Sequence, residues 1–328
     1  MTHLPQSYRR LPDRLVKAIR QRVQATLLSL VPELAPDADR ALERLVVDQW
    51  PLEWSLPWWL GRHLQLPQAE WLALTLTNVL GMVHVRLQDD LADEAHEPEQ
   101  RGRKLALSGA CFQQAQAQLS RLLGNHPQFW DHQDRYLAQW LRAGLHSRPA
   151  QEGEGPGGHG DSNWLAWRGA PLKITATGAC LLAERPDLVA PLEETLDRLN
   201  LATVLLDHAD DWATDLPAGR FNAFVAHASP LAQTPPHREE NERRVMRLFL
   251  LGDAGRAYYG EVGEALRAAE RAGLPVSCPD LTGYIRHFQL EVERLAEERA
   301  AQGRAALRQA TEQLLGPRSA DWPPEGDP

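Results

Sequence analysis

Apolar residues recur three and four positions apart along most of this chain, the spacing of a helix face, and runs alternating at every second residue are nearly absent. Leu15, Ile19, Val23 and Leu27 form one such stripe. Leu66-Pro67 sets proline at the start of a helix running through Trp71 to Asp93, and Ala190-Pro191 does the same for a helix running to Asp215. Leu216-Pro217-Ala218-Gly219 stops the second. Residues 241–271 and 281–313 are long, laced with Arg and Glu, and also read as helices. The pattern predicts an all-α protein. Residues 147–163 (SRPAQEGEGPGGHGDSN) read as a flexible loop, and the proline-rich residues 316–328 as a disordered tail. Charged clusters lie on both sides of the loop, which is therefore read as internal to one helical domain of residues 1–315.

Those clusters are the candidate chemistry. The first is Gln88-Asp89-Asp90-Leu91-Ala92-Asp93-Glu94, and the second is Asp207-His208-Ala209-Asp210-Asp211-Trp212-Ala213-Thr214-Asp215. Each ends a long apolar helix, where negative charge opposes the helix dipole and carboxylates repel one another. Residues four apart share a helix face, so Asp89 points with Asp93, and Asp207, Asp211 and Asp215 make one stripe with Asp210 beside Asp207. Magnesium takes one or two carboxylates along with water and phosphate oxygens, so two facing clusters of this kind suit ions that bridge a diphosphate. The segments 78–93 and 200–215 share a layout of Asn, apolar helix and clustered Asp, a weak internal repeat.

Composition narrows the partners. Hydrophobic residues are 43% and charged residues 24% of the 328, with a formal net charge of −9, which argues against nucleic acid or an anionic membrane surface as a main partner. No uncharged run suits a membrane span, and the first residues lack a signal-peptide core, so a cytoplasmic setting is the expectation. The three cysteines, Cys111, Cys180 and Cys278, are far apart and form no CxxC pair, which predicts neither disulfides nor a zinc site. Lysine occurs only at positions 17, 104 and 173, so lysines at motif positions carry weight. The eleven tryptophans include Trp50, Trp54, Trp58, Trp59 and Trp71 ahead of the first cluster and Trp164, Trp167 and Trp212 in the second half, as core or as aromatic pocket walls.

Asp89-Asp90-Leu91-Ala92-Asp93 resembles the DDxxD motif of class I isoprenoid synthases, which include trans-prenyl diphosphate synthases and terpene cyclases. Asp207/Asp211/Asp215 has the spacing of the cyclases' second metal motif, and the same stretch resembles the second Asp-rich motif of the prenyl synthases, with Asp207 and Asp210 in register. Lys173-Ile174-Thr175-Ala176-Thr177-Gly178 is similar to their Lys-Thr segment, and Arg101-Gly102-Arg103-Lys104 to the basic pair after their first motif. The resemblance covers roughly residues 60–225. It implies a helical bundle around an apolar cavity, a prenyl diphosphate substrate, and roughly three Mg2+ ions, with Mn2+ as a possible substitute. Asp89, Asp90, Asp93, Asp207, Asp210, Asp211 and Asp215 would be ligands, with Asp89, Asp93 and Asp211 essential to catalysis. Lys173, Arg168, Arg220, Arg101 and Lys104 would bind diphosphate, and relatives of this kind are commonly homodimers.

The chain also departs from the resemblance. The stretch nearest to the prenyl synthases' upstream basic segment, residues 60–67, keeps only Arg62 and His63. The second cluster has Asp at 211 and 215, where cyclases carry Ser or Thr and then Glu. The thinned basic segment tilts the expectation towards a terpene cyclase, with a prenyl diphosphate synthase as the alternative and a catalytically silent subunit as a third. Substrate length is expected to depend on residues a turn or two before Asp89, such as His84 and Val85.

Overall fold

The computed structural model describes residues 8–45, 50–93, 96–146, 163–228, 245 and 254–315. Among them every regular element is helical: α1 (Asp13–Leu28), α2 (Ala35–Arg44), α3 (Pro51–His63), α4 (Gln68–Asp93), α5 (Pro98–Leu123), α6 (Pro127–His146), α7 (Asn163–Ala166), α8 (Leu172–Leu182), α9 (Val189–Ala218), α10 (Ala223–Ala228), α11 (Ala254–Ala272) and α12 (Pro279–Leu315). Of the residues read as a loop, 147–163, the structure describes only Asn163, which opens α7; 147–162 and the residues read as a tail, 316–328, lie outside the described residues. The chain divides into two compact units. One comprises Met1–His146, Asp161–Leu201 and Ala265–Phe288, the other Ser147–Gly160, Ala202–Glu264 and Gln289–Pro328.

In the first unit α4 packs against α3, α5 and α8. Its middle is apolar nearly all round, with Leu74, Leu76, Val79, Leu80, Met82 and Val83 buried, as expected of a central helix. Neighbouring α3 is buried from Leu52 to Gly61. Fully burying Leu56 and Leu60 stabilises by roughly 2 kcal/mol each. Pro51 opens α3 in the first turn, where no helical N–H bond is lost. Pro57 sits inside it and has no N–H to donate to the Glu53 carbonyl. Asn78 of α4 supplies the missing donor: its Nδ2 lies 2.7 Å from Glu53 O, while its Oδ1 accepts from Thr175 Oγ1 of α8, also at 2.7 Å. One buried amide thus ties three helices together.

The amino-terminal helices are pinned by side chains to backbone. Trp59 Nε1 donates to Arg9 O at 2.7 Å, and Trp54 Nε1 to Leu45 O at 2.9 Å. Tyr8, Trp59 and Tyr284 form an aromatic cluster with ring centroids 5.3–5.8 Å apart. The aromatic residues ahead of the first acidic cluster are therefore largely core. Helix α2 is held to α5 by Arg103, whose Nε reaches Asp37 Oδ2 at 2.9 Å and whose Nη2 reaches Glu33 O at 2.7 Å. Burial alone would raise the Asp37 carboxyl, but Arg103 and Arg40 outweigh it and hold its pKa below the usual value.

In the second unit the later part of α9 is capped by a polar clasp. Gly219, at φ 69°, takes the left-handed turn that ends the helix. Asn222 then folds back, donating from Nδ2 to His208 O and to Asp215 Oδ2, both at 2.9 Å. Tyr258 of α11 donates to Leu205 O at 2.9 Å and packs edge-on to Phe224 at 5.1 Å.

Candidate functional site

The first acidic cluster closes α4, and two cations already neutralise part of it. Asp90 Oδ2 accepts from Lys104 Nζ of α5 and from Arg44 Nη1 of α2, each at 3.0 Å. His96 Nε2 lies 3.0 Å from Asp90 O and 3.2 Å from Lys104 Nζ, and its tautomer selects between donating to the first and accepting from the second. The charge that the sequence pattern left unopposed at this helix end is thus partly met by side chains. Asp89 is part-buried beside it; Asp93 is the last residue of α4, with its side chain outside the description, and Glu94 lies outside the described residues. Arg101, at the start of α5, is exposed.

The second cluster lies on the part of α9 that belongs to the second unit. Asp207, Asp210 and Asp211 are exposed, whereas Asp215 is only 8% exposed. The stripe of Asp207, Asp211 and Asp215 is therefore chemically uneven. Asp215 is held by Asn222, and Arg220 Nη1 stands 3.7 Å from its other oxygen. Arg299 Nη2 donates to Asp210 at 3.1 Å.

Lys173 is the most deeply placed of the predicted diphosphate ligands. Its side chain is 1% exposed, and Nζ donates to Asp197 Oδ1 at 2.7 Å and Gln139 Oε1 at 2.8 Å. A diphosphate would have to take that cation from a carboxylate. Burial raises the Asp197 pKa, with Lys173 pulling the other way. One helical turn back along α9, Glu193 accepts from Tyr136 Oη and, at 2.7 Å, from Arg135 Nη2. Arg168 is half-buried in the turn at Trp167–Gly169.

A cavity opens among α4, α5, α6 and α8, with about 470 Å3 of space between the atoms, part of it continuous with solvent. Gly81, Met82, His84 and Val85 of α4 face Phe112, Leu119, Leu137, Trp140 and Ile174 across it. Desolvation lowers the His84 pKa, against a smaller raising effect from the Ser108 carbonyl, so a neutral imidazole is favoured there. The three cysteines are buried and free; burial pushes Cys111 and Cys180 up to about 12 and Cys278 up to about 11, which suits none of them to thiolate chemistry.

Among the described residues no three carboxylate, imidazole or thiol groups converge into a ready-made metal cage. Magnesium does not require one: it binds through one or two carboxylates and completes its shell with water and phosphate oxygens. The hard oxygen donors of Asp89 and Asp90 fit that chemistry. Arg44 escaped the sequence reading, because it lies 46 residues from Asp90 and in no motif. Asp197 and Gln139 escaped it for the same reason, being 24 and 34 residues from Lys173.

No protein-family model matches the chain, and no curated protein is recognisably similar to it in sequence. Its fold is that of class I isoprenoid synthases. A geranylgeranyl pyrophosphate synthetase from the archaeon Geoglobus acetivorans superposes with a TM-score of 0.62 at 15% identity, over 88% of this chain and 98% of that one. A geranylgeranyl pyrophosphate synthase from Corynebacterium glutamicum, complexed with calcium and isoprenyl diphosphate, gives 0.61 at 14% identity, over 86% and 96%. Among the described residues no helix is long and apolar enough to cross a membrane.

Proposed function

We propose that this protein acts on allylic prenyl diphosphates with Mg2+, and that it elongates them as a trans-prenyl diphosphate synthase does. One observation carries the reading: an apolar cavity runs down the same helix that ends in the first acidic cluster. His84 and Val85 line it five and four residues before Asp89, about 6–7.5 Å along the helix axis. A diphosphate bound at the end of α4 would leave its hydrocarbon chain beside that cavity. Similarity to the geranylgeranyl synthases favours elongation over the cyclisation that the sequence alone suggested. In elongation the allylic carbon–oxygen bond breaks and diphosphate departs with the electron pair. The double bond of a second, homoallylic diphosphate then attacks the cation, a carbon–carbon bond forms and a proton is lost.

Mg2+ would neutralise charge developing on the departing diphosphate. Asp89, Asp90 and Asp93 are the ligands proposed on α4, and Asp207, Asp210, Asp211 and Asp215 those proposed on α9. Of the proposed diphosphate ligands Lys104 is the best supported, since it already lies against Asp90. Arg101, Arg168, Lys173 and Arg220 are the others. A cytoplasmic homodimer is the proposed setting.

One observation favours a second reading, cyclisation of a single substrate. The two basic residues available for a second diphosphate are engaged in packing: Arg62 lies over the Trp58 ring at 5.4 Å, and His63 Nε2 is 2.8 Å from Val276 O. Incubating the protein and Mg2+ with allylic diphosphates of increasing length, with and without isopentenyl diphosphate, separates the two. Longer diphosphates formed only with isopentenyl diphosphate support elongation. Hydrocarbon or alcohol released without it supports cyclisation. Chelation of Mg2+, Asp89→Ala or Asp211→Ala should abolish either, and full activity in a variant would remove that residue from the site.

A further inference from the structure

Asp90 receives more positive charge than one carboxylate needs. Lys104 reaches its Oδ2 from α5 and Arg44 reaches the same oxygen from the last residue of α2. The backbone of α2 is well anchored, since Arg103 grips both Asp37 and the Glu33 carbonyl. The Arg44 guanidinium is not: its side chain is 69% exposed. An exposed pair of that kind adds little to folding, because ordering a long side chain in water offsets most of the attraction. Two cations on one carboxylate oxygen oppose the approach of a divalent cation. A diphosphate reverses the balance, because its oxygens offer the guanidinium a new bidentate partner and complete the cation's shell.

We propose that Arg44 is a positioning residue that couples divalent-cation binding to diphosphate binding at the end of α4. It rests on Asp90 when neither ligand is bound, and swings to the diphosphate oxygens when Asp90 takes the cation. The proposal builds on the diphosphate site proposed above and adds a residue from outside its motifs.

Calorimetry on the full chain at constant ionic strength tests it, using three titrations: MgCl2 alone, inorganic pyrophosphate with EDTA, and pyrophosphate at saturating Mg2+. In Arg44→Gln, Mg2+ alone should bind about fivefold tighter, and pyrophosphate alone about fivefold weaker, the size expected for one charge at contact distance in a wet site. Mg2+ should also enhance pyrophosphate binding less than in the unmodified protein. Arg44→Lys should return the affinities towards their original order. A residue serving only the fold would weaken both ligands together, and that outcome overturns the proposal, as does Arg44→Gln matching the unmodified protein. If the unmodified protein binds no pyrophosphate even with Mg2+, the diphosphate site itself falls and the coupling with it.

Discussion

Lys173 is sealed inside the first unit with its ammonium 2.7 Å from Asp197, a carboxylate that keeps 32% of its side chain exposed. The pair is asymmetric, and so is the cost of breaking it. Asp197→Val strands a buried ammonium with only Gln139 to accept from it, a loss of about 3 kcal/mol. Lys173→Met leaves a carboxylate that water still reaches, and should cost about half as much. Urea unfolding of the two variants measures the difference, and equal losses would refute the asymmetry.

Asn78 completes the helix that Pro57 interrupts. Asn78→Leu keeps the branched shape but leaves the Glu53 carbonyl and the Thr175 hydroxyl without their partner. The loss should be about 2–3 kcal/mol, and Asn78→Asp, which cannot donate to Glu53, should not recover it. Stability of Asn78→Leu within experimental error of the original would show that another donor serves Glu53.

Two helical glycines should respond to the same substitution with opposite signs. A Cβ on Gly61 would stand 2.3 Å from Trp71 Cβ, so Gly61→Ala forces α3 and α4 apart at about 1–3 kcal/mol. A Cβ on Gly81 meets no atom within 4 Å, so Gly81→Ala should stabilise by about 0.5–1 kcal/mol through helix propensity. Gly81 lines the cavity, so Gly81→Leu should also shorten the longest diphosphate product if the hydrocarbon lies there. Unfolding curves and product chain lengths read the two effects separately.

Stability should fall on the acid side of neutrality partly through His84. Its folded pKa lies below 6.5 because burial disfavours the imidazolium, so the unfolded chain takes the proton first. The contribution is present above pH 6.5 and is lost as pH falls through the folded value. His84→Gln should flatten that part of a plot of urea midpoint against pH. An unchanged slope would assign the loss to other groups.

How much of this was legible in the chain depended on distance along it. Pro67, Pro191 and Gly219 act on their own backbone, so the limits of α4 and α9 could be read to within a few residues. The buried middle of α9 and its turn to exposed aspartates at 207 were equally readable, because periodicity is local. The uneven burial along the stripe of Asp207, Asp211 and Asp215 was not legible in its spacing. A residue beyond the turn, Asn222, buries one end of it. How His63 is used was not legible either, because the Val276 carbonyl that engages it is supplied by packing.

By itself the sequence determined the helices, their burial, and the two places where carboxylates crowd a helix end, since each follows from neighbours a few residues away. Only the tertiary structure decided which cations answer those carboxylates. Arg44 and Lys104 meet on one oxygen of Asp90, and Asp197 claims the lysine that resembled a diphosphate ligand. Charge acts through space over a few ångströms, and packing brings to that distance residues that spacing along the chain keeps apart.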